Sequence, residues 1–219
     1  MNFNLIKFLT DVSTFVILMP LLVGGMSCIR LSKDSLLILG VVFFGSIPQL
    51  LNFFQPCEEL LNNVLYNLYT PLEFLLYGLL FAKKWQDAAE RKIFSISIIL
   101  YFFLSIIFVA KWGIEDDFIY SWAWTNNLIY VIWILVFLYG QYNKNVSLIF
   151  TPGVPFFWFL IGILLYAPCT MLVFSMWDFL YQNKSDTANT LRIIHAVFNI
   201  NMYVFFTIGF LKDSLNFKK

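Results

Sequence analysis

Residues 93–112 read IFSISIILYFFLSIIFVAKW, and only Lys111 among them carries a charge. A helix rises about 1.5 Å per residue, so this stretch spans about 30 Å, the thickness of a bilayer's hydrocarbon core. Six further stretches of the same kind surround it, from about Phe8 to Ile29, Ser35 to Gln55, Asn62 to Ala82, Phe118 to Gly140, Pro155 to Trp177 and Thr190 to Leu211. The expected fold is all-α: a polytopic membrane protein of seven transmembrane helices. The connections are short and none resembles a linker, so residues 1–219 are read as a single domain.

Composition points the same way. Of 219 residues 60% are hydrophobic and 12% charged, with a mean hydropathy of +0.78, where a soluble domain carries roughly 25% charged residues. Such a surface needs the lipid bilayer as its solvent. The net charge of +1 gives no attraction toward nucleic acid or an acidic partner. Cys28, Cys57 and Cys169 are too few and too scattered for a disulfide framework or a thiolate metal site. Cys57 and Cys169 both belong toward the outer side, where a bridge is conceivable, but unpaired cysteines are the expectation. The single histidine, His195, excludes a site built from several imidazoles, and no cofactor motif is present. Lys7 precedes an apolar stretch that ends in Gly24-Gly25-Met26-Ser27-Cys28, yet Val12 to Val23 runs on without a small-residue cleavage site, and Gly25 stands where a lipoprotein-type signal would want leucine. The first helix is expected to stay in the protein.

Orientation follows from lysine and arginine, which short cytoplasmic loops retain. One side collects Arg30, Lys33, Lys83, Lys84, Arg91, Lys92, Lys144, Lys212, Lys218 and Lys219; the other has Lys7, Lys111, Lys184 and Arg192, together with Glu58, Glu59, Glu115, Asp116, Asp117, Asp178 and Asp186. With seven spans this places the N-terminus outside and the C-terminus in the cytoplasm, in the plasma (cell inner) membrane. Pro20, Pro48, Pro71 and Pro168 fall inside spans. Each removes a backbone donor and frees a carbonyl, which lipid cannot satisfy, so kinks or helix breaks are expected there.

Glu73 lies near the centre of the third span, where an acidic side chain costs about 2.5–3.5 kcal/mol on insertion scales. It must be protonated, paired or hydrated in a cavity. At about 100° per residue Tyr66, Thr70, Glu73 and Tyr77 share a helix face, with Asn63 and Asn67 beside it. In the seventh span Arg192, His195, Asn199 and Tyr203 form a second stripe; in the fifth, Trp122, Asn126, Tyr130 and Trp133 form a third, with Asn127 adjoining. Asp11, Gln49, Asn52, Tyr166 and Thr170 complete a set drawn from six helices. Nearly all these groups fall in the outer half of the membrane, which points to a polar cavity open to the outside. The candidate ligand-binding residues are Glu73, Thr70, Tyr66, Asn67, His195, Asn199, Asn126 and Tyr130. Interhelical hydrogen bonds, worth about 0.6 kcal/mol each on average, are the plainer account of the asparagines and tyrosines. For Glu73 a functional role is preferred, because an ionisable group at that depth is costly where a neutral one would serve.

Two functions fit a small polar ligand in such a cavity: transport of a solute, with the buried carboxylate exchanging a proton, or sensing, with a separate cytoplasmic signalling protein reading the change. An intramembrane enzyme is a third reading. It lacks support, because no Gly-x-Ser-x-Gly elbow occurs, and a Glu73–His195 acid–base pair has no identified nucleophile. Retinal binding is disfavoured too, since the seventh span has no interior lysine, Lys212 being at its end.

Three segments, Tyr66-Asn67-Leu68-Tyr69-Thr70-Pro71-Leu72-Glu73-Phe74, Phe157 to Tyr166 and Ile194-His195-Ala196-Val197-Phe198-Asn199, resemble a group of uncharacterised multi-spanning bacterial proteins that are often encoded beside sensor kinases. The resemblance implies interest in Glu73, His195 and Asn199 and a kinase as signalling partner, and it implies no catalytic role. Pro48-Gln49 resembles the dipeptide of the PQ-loop and SWEET group. That resemblance implies two parallel triplets of helices joined by a fourth, and the sequence departs from it in the sixth span, where Pro168-Cys169 stands in place of a second such dipeptide.

Overall fold

The computed structural model describes residues 3–54, 59–85, 87–114, 120–143, 151–176 and 186–216. Helices α1 (Phe3–Val16) and α2 (Leu18–Ser27) make the first span, closed by a 3₁₀ turn at Cys28–Arg30. They are followed by α3 (Lys33–Phe54), α4 (Glu59–Lys84), α5 (Ala88–Trp112), α6 (Tyr120–Asn143), α7 (Pro155–Ser175) and α8 (Asp186–Asn216). Every element among the described residues is helical, and seven helices are long and apolar enough to cross a membrane.

The prolines do not act alike. Pro20 has no N–H for the Val16 carbonyl, and the first span is interrupted there: α1 stops at Val16, α2 starts at Leu18, and the Leu21 amide bonds Ile17 at 3.3 Å. Helices α3, α4 and α7 continue through Pro48, Pro71 and Pro168, so of the four prolines Pro20 alone coincides with a break.

The spans close into a ring. The first span packs on α3, α3 on α4, α4 on α6, α6 on α7, α7 on α8, and α8 back on α1 and α2, while α3 reaches across to α7 and α8. Helix α5 stays outside this ring, resting on α6 and touching α4. It is held by the Trp133 indole N–H donating to Ser97 Oγ at 2.7 Å and by Tyr101 stacked on Phe74 with ring centroids 3.6 Å apart. Ile96, Ile99, Phe103 and Ile106 face outward from it, Ile99 being 71% exposed. Helices α7 and α8 mesh through small residues. A Cβ on Gly162 would lie 2.9 Å from the Phe206 ring, and one on Gly209 would run into Phe159, so each glycine seats the other helix's phenylalanine.

Polar contacts tie together the end that carries the basic loops. Asp34 pairs with Lys84 at 2.5 Å and Lys83 at 3.8 Å, the Ser32 amide donates to Asp213 at 2.7 Å, and Asn216 donates to the Gly153 carbonyl at 3.3 Å. Lys84 also lies 4.8 Å above the Phe156 ring. Just inside this end the core is aromatic: Phe81, Trp85, Phe94, Trp133, Phe137 and Phe156 pack edge to face or tilted. Ser35, Gln141 and Thr207 are buried in this half as well, so it is less purely apolar than its hydropathy implies. Of the charges used to orient the chain, Lys144, Lys218, Lys219, Glu58, Glu115, Asp116, Asp117, Asp178 and Lys184 lie outside the described residues, as does Cys57 and with it the conceivable Cys57–Cys169 bridge.

Candidate functional site

Glu73 sits halfway along α4 and accepts a hydrogen bond from the Tyr69 hydroxyl at 3.1 Å, one helical turn before it. The i, i+4 spacing places the two side chains on neighbouring parts of one face. Tyr69 in turn lies against α3, where Gly45 leaves room for it: a Cβ there would stand 2.9 Å from the Tyr69 oxygen. Tyr77 of α4, Tyr130 of α6, Tyr166 of α7 and Tyr203 of α8 all stand within electrostatic range of the Glu73 carboxyl. Tyr101 of α5, the helix outside the ring, stands in the same range, and among the described residues no cation lies within ion-pair distance of the carboxyl. Glu73, Tyr69 and Tyr166 are half-buried.

The predicted site residues divide into two groups. Tyr130 belongs to the Glu73 cluster; its ring meets Tyr77 edge to face at 5.0 Å, and its hydroxyl is buried with no hydrogen-bond partner. His195 approaches the cluster through Tyr166, whose hydroxyl is 3.4 Å from its Nε2, and its ring lies between Tyr166 and Phe174. Its hydrogen-bond partner is thus a tyrosine and not Glu73. Tyr66 is half-buried one turn before Thr70 and offers that residue its carbonyl.

The others form interhelical bonds. Thr70 bonds back to the Tyr66 carbonyl at 2.8 Å, and the Thr70 carbonyl receives Asn126 Nδ2 at 3.0 Å. Asn126 Oδ1, the Tyr101 hydroxyl and the Trp122 indole nitrogen are buried with no hydrogen-bond partner. Asn67 is fully buried and donates to the Ile114 carbonyl at 3.1 Å, which fastens the chain beyond α5 to α4. Asn199 donates to Ser13 Oγ at 2.9 Å, Gln49 donates to the Ser13 carbonyl at 3.2 Å, and the Tyr203 hydroxyl reaches Gln49 Oε1 at 3.5 Å. This clasp joins the first span, α3 and α8 beside the tyrosine cluster.

Sequence reasoning passed over Ser13, whose role depends on two distant helices, and Tyr69, which the i, i+4 spacing to Glu73 could have supplied. Chemically the arrangement offers one carboxylate, several phenolic oxygens and π faces. Among the described residues no three His, Cys, Asp or Glu side chains come together to hold a metal ion. A depression of about 450 Å³ between α5 and α6 has Asp87, Glu90, Ile93, Leu135, Tyr139 and Asn143 on its walls; its carboxylates are occupied in capping α5, where Asp87 and Glu90 form a capping box.

No protein-family model, curated protein or solved structure matches the chain.

Proposed function

We propose that this chain binds a small polar ligand in the membrane, at the interior site around Glu73, reached from the end opposite the basic loops, and that the site serves transport or sensing. One observation carries the reading: a mid-span carboxylate near tyrosines of five helices, with a hydroxyl as hydrogen-bond partner and no cation within ion-pair distance among the described residues. A packed bundle gains nothing from such a group, whereas a ligand can supply the missing contacts.

Transport is the first use. The first span, α3 and α4, which precede α5, and α6, α7 and α8, which follow it, meet around a mid-depth site, and a site between two such groups is suited to rocking of one against the other. The aromatic half beneath the site closes it toward the basic end. Sensing is the second use, supported by the resemblance to proteins encoded beside sensor kinases.

Accessibility separates these outcomes. In a Tyr166→Cys variant whose Cys28, Cys57 and Cys169 are replaced by serine, a membrane-impermeant thiol reagent is applied to each face of sealed vesicles. Labelling from both faces is the result expected of a transporter, and labelling only from the end opposite the basic loops that of a sensor. If the cysteine reacts from neither face but reacts once the protein is denatured, no open site exists and the proposal fails.

A further inference from the structure

We infer that the ligand of this site is a small organic cation of the ammonium class; this rests on the reading that Glu73 lies in a ligand site. In its ionised form Glu73 places a negative charge at mid-span, and among the described residues neither lysine nor arginine lies within ion-pair distance. The histidine nearby is engaged with Tyr166. An anion would be repelled there and a neutral solute would leave the charge uncompensated, whereas a cation neutralises it.

The walls decide which cation. Calcium takes six to eight oxygens, commonly from several carboxylates, and magnesium demands a near-octahedral set; one carboxylate with no second acidic, histidine or cysteine cluster among the described residues offers neither. Tyr69, Tyr77, Tyr130, Tyr166 and Tyr203 instead supply π faces and phenolic oxygens, the surroundings that hold a weakly hydrated ammonium. The Tyr130 hydroxyl is a second, independent sign. It is buried, has no hydrogen-bond partner and stands within electrostatic range of Glu73, so it is an oxygen ready to accept from an ammonium N–H.

The test is thermal melting of the purified full-length protein in nanodiscs with tetramethylammonium chloride or ethylammonium chloride, against sodium chloride at equal ionic strength and against neutral neopentyl alcohol. Both ammonium salts are expected to raise the melting temperature by several degrees over the two controls, and Glu73→Gln to abolish the rise. Equal shifts with all additives, no shift with any, or an undiminished shift in Glu73→Gln overturns the assignment. Should Glu73→Gln not fold, Tyr130→Phe carries the test. It is expected to weaken ethylammonium several-fold more than tetramethylammonium, because only the former has N–H donors; unchanged ethylammonium affinity overturns the inference. A protein labelled at Tyr166→Cys yet indifferent to every ammonium salt has a site of another class, which separates failure of this inference from failure of the binding proposal.

Discussion

Among the described residues Glu73 keeps a single hydroxyl hydrogen bond, from Tyr69 at 3.1 Å, and removing the carboxylate separates a functional from a structural role. A charge held for structure is destabilising to lose, whereas a charge held for a ligand is a burden on the empty protein. Glu73→Gln is accordingly expected to reach the membrane at wild-type levels and, without ligand, to melt at or above the wild-type temperature while losing function; a fall of many degrees would mark the carboxylate as a structural strut. Glycines give a second residue-scale contrast. A Cβ on Gly209 would run into the Phe159 ring, whereas one on Gly25 meets nothing within 4 Å. Gly209→Ala should lose about 1–3 kcal/mol by overpacking, and Gly25→Ala should be neutral or gain up to about 1 kcal/mol from lower backbone entropy, both read by thermal denaturation. Glu73 was legible in the sequence because a lone carboxyl among apolar residues is conspicuous at any register. The partners of Asn67 and Asn199 were not: an amide's hydrogen bond to Ile114 or Ser13 depends on which helices become neighbours, and periodicity fixes only a face.

Each apolar stretch is helical to within a few residues of its expected limits, the first as two helices and the others as one, because hydrocarbon thickness sets length and charged loops set the ends. The fourth span was the one that lent no polar group to the stripes of the other six, and α5 is the helix that stands outside the ring. A helix with no polar face has nothing to hide from lipid. Substitution at Ile99, mid-helix and 71% exposed, tests this directly. Ile99→Lys should cost about 2.5–3.5 kcal/mol of insertion free energy and deplete the membrane fraction on an immunoblot, while Ile99→Leu should leave it unchanged; a well-tolerated lysine would mean that α5 faces water or a polar partner. Proline was less readable. Only Pro20 coincides with an interruption, and α3, α4 and α7 run through theirs, because whether a helix parts at proline depends on packing from its neighbours.

Seven helices long and apolar enough to span a bilayer give the chain two unlike halves. Aromatic rings and the Asp34–Lys84 pair close one end, while Glu73 stands near the tyrosines at mid-span and Ser13, Gln49, Asn199 and Tyr203 bond the first span, α3 and α8 to one another. The asymmetry was visible in the sequence as a bias of polar residues toward one side; the ring that turns them toward a common centre was not, since it requires knowing that α8 returns to α1. The central claim is that this carboxyl meets water inside the ring and not acyl chains outside it. Carbodiimides measure that difference: intact cells are treated with a water-soluble carbodiimide and a glycine ester, or with a lipid-soluble carbodiimide, and the peptide containing Glu73 is examined by mass spectrometry. The account predicts modification of Glu73 by the water-soluble reagent from outside; reaction with the lipid-soluble reagent alone would place the carboxyl against the membrane and contradict it.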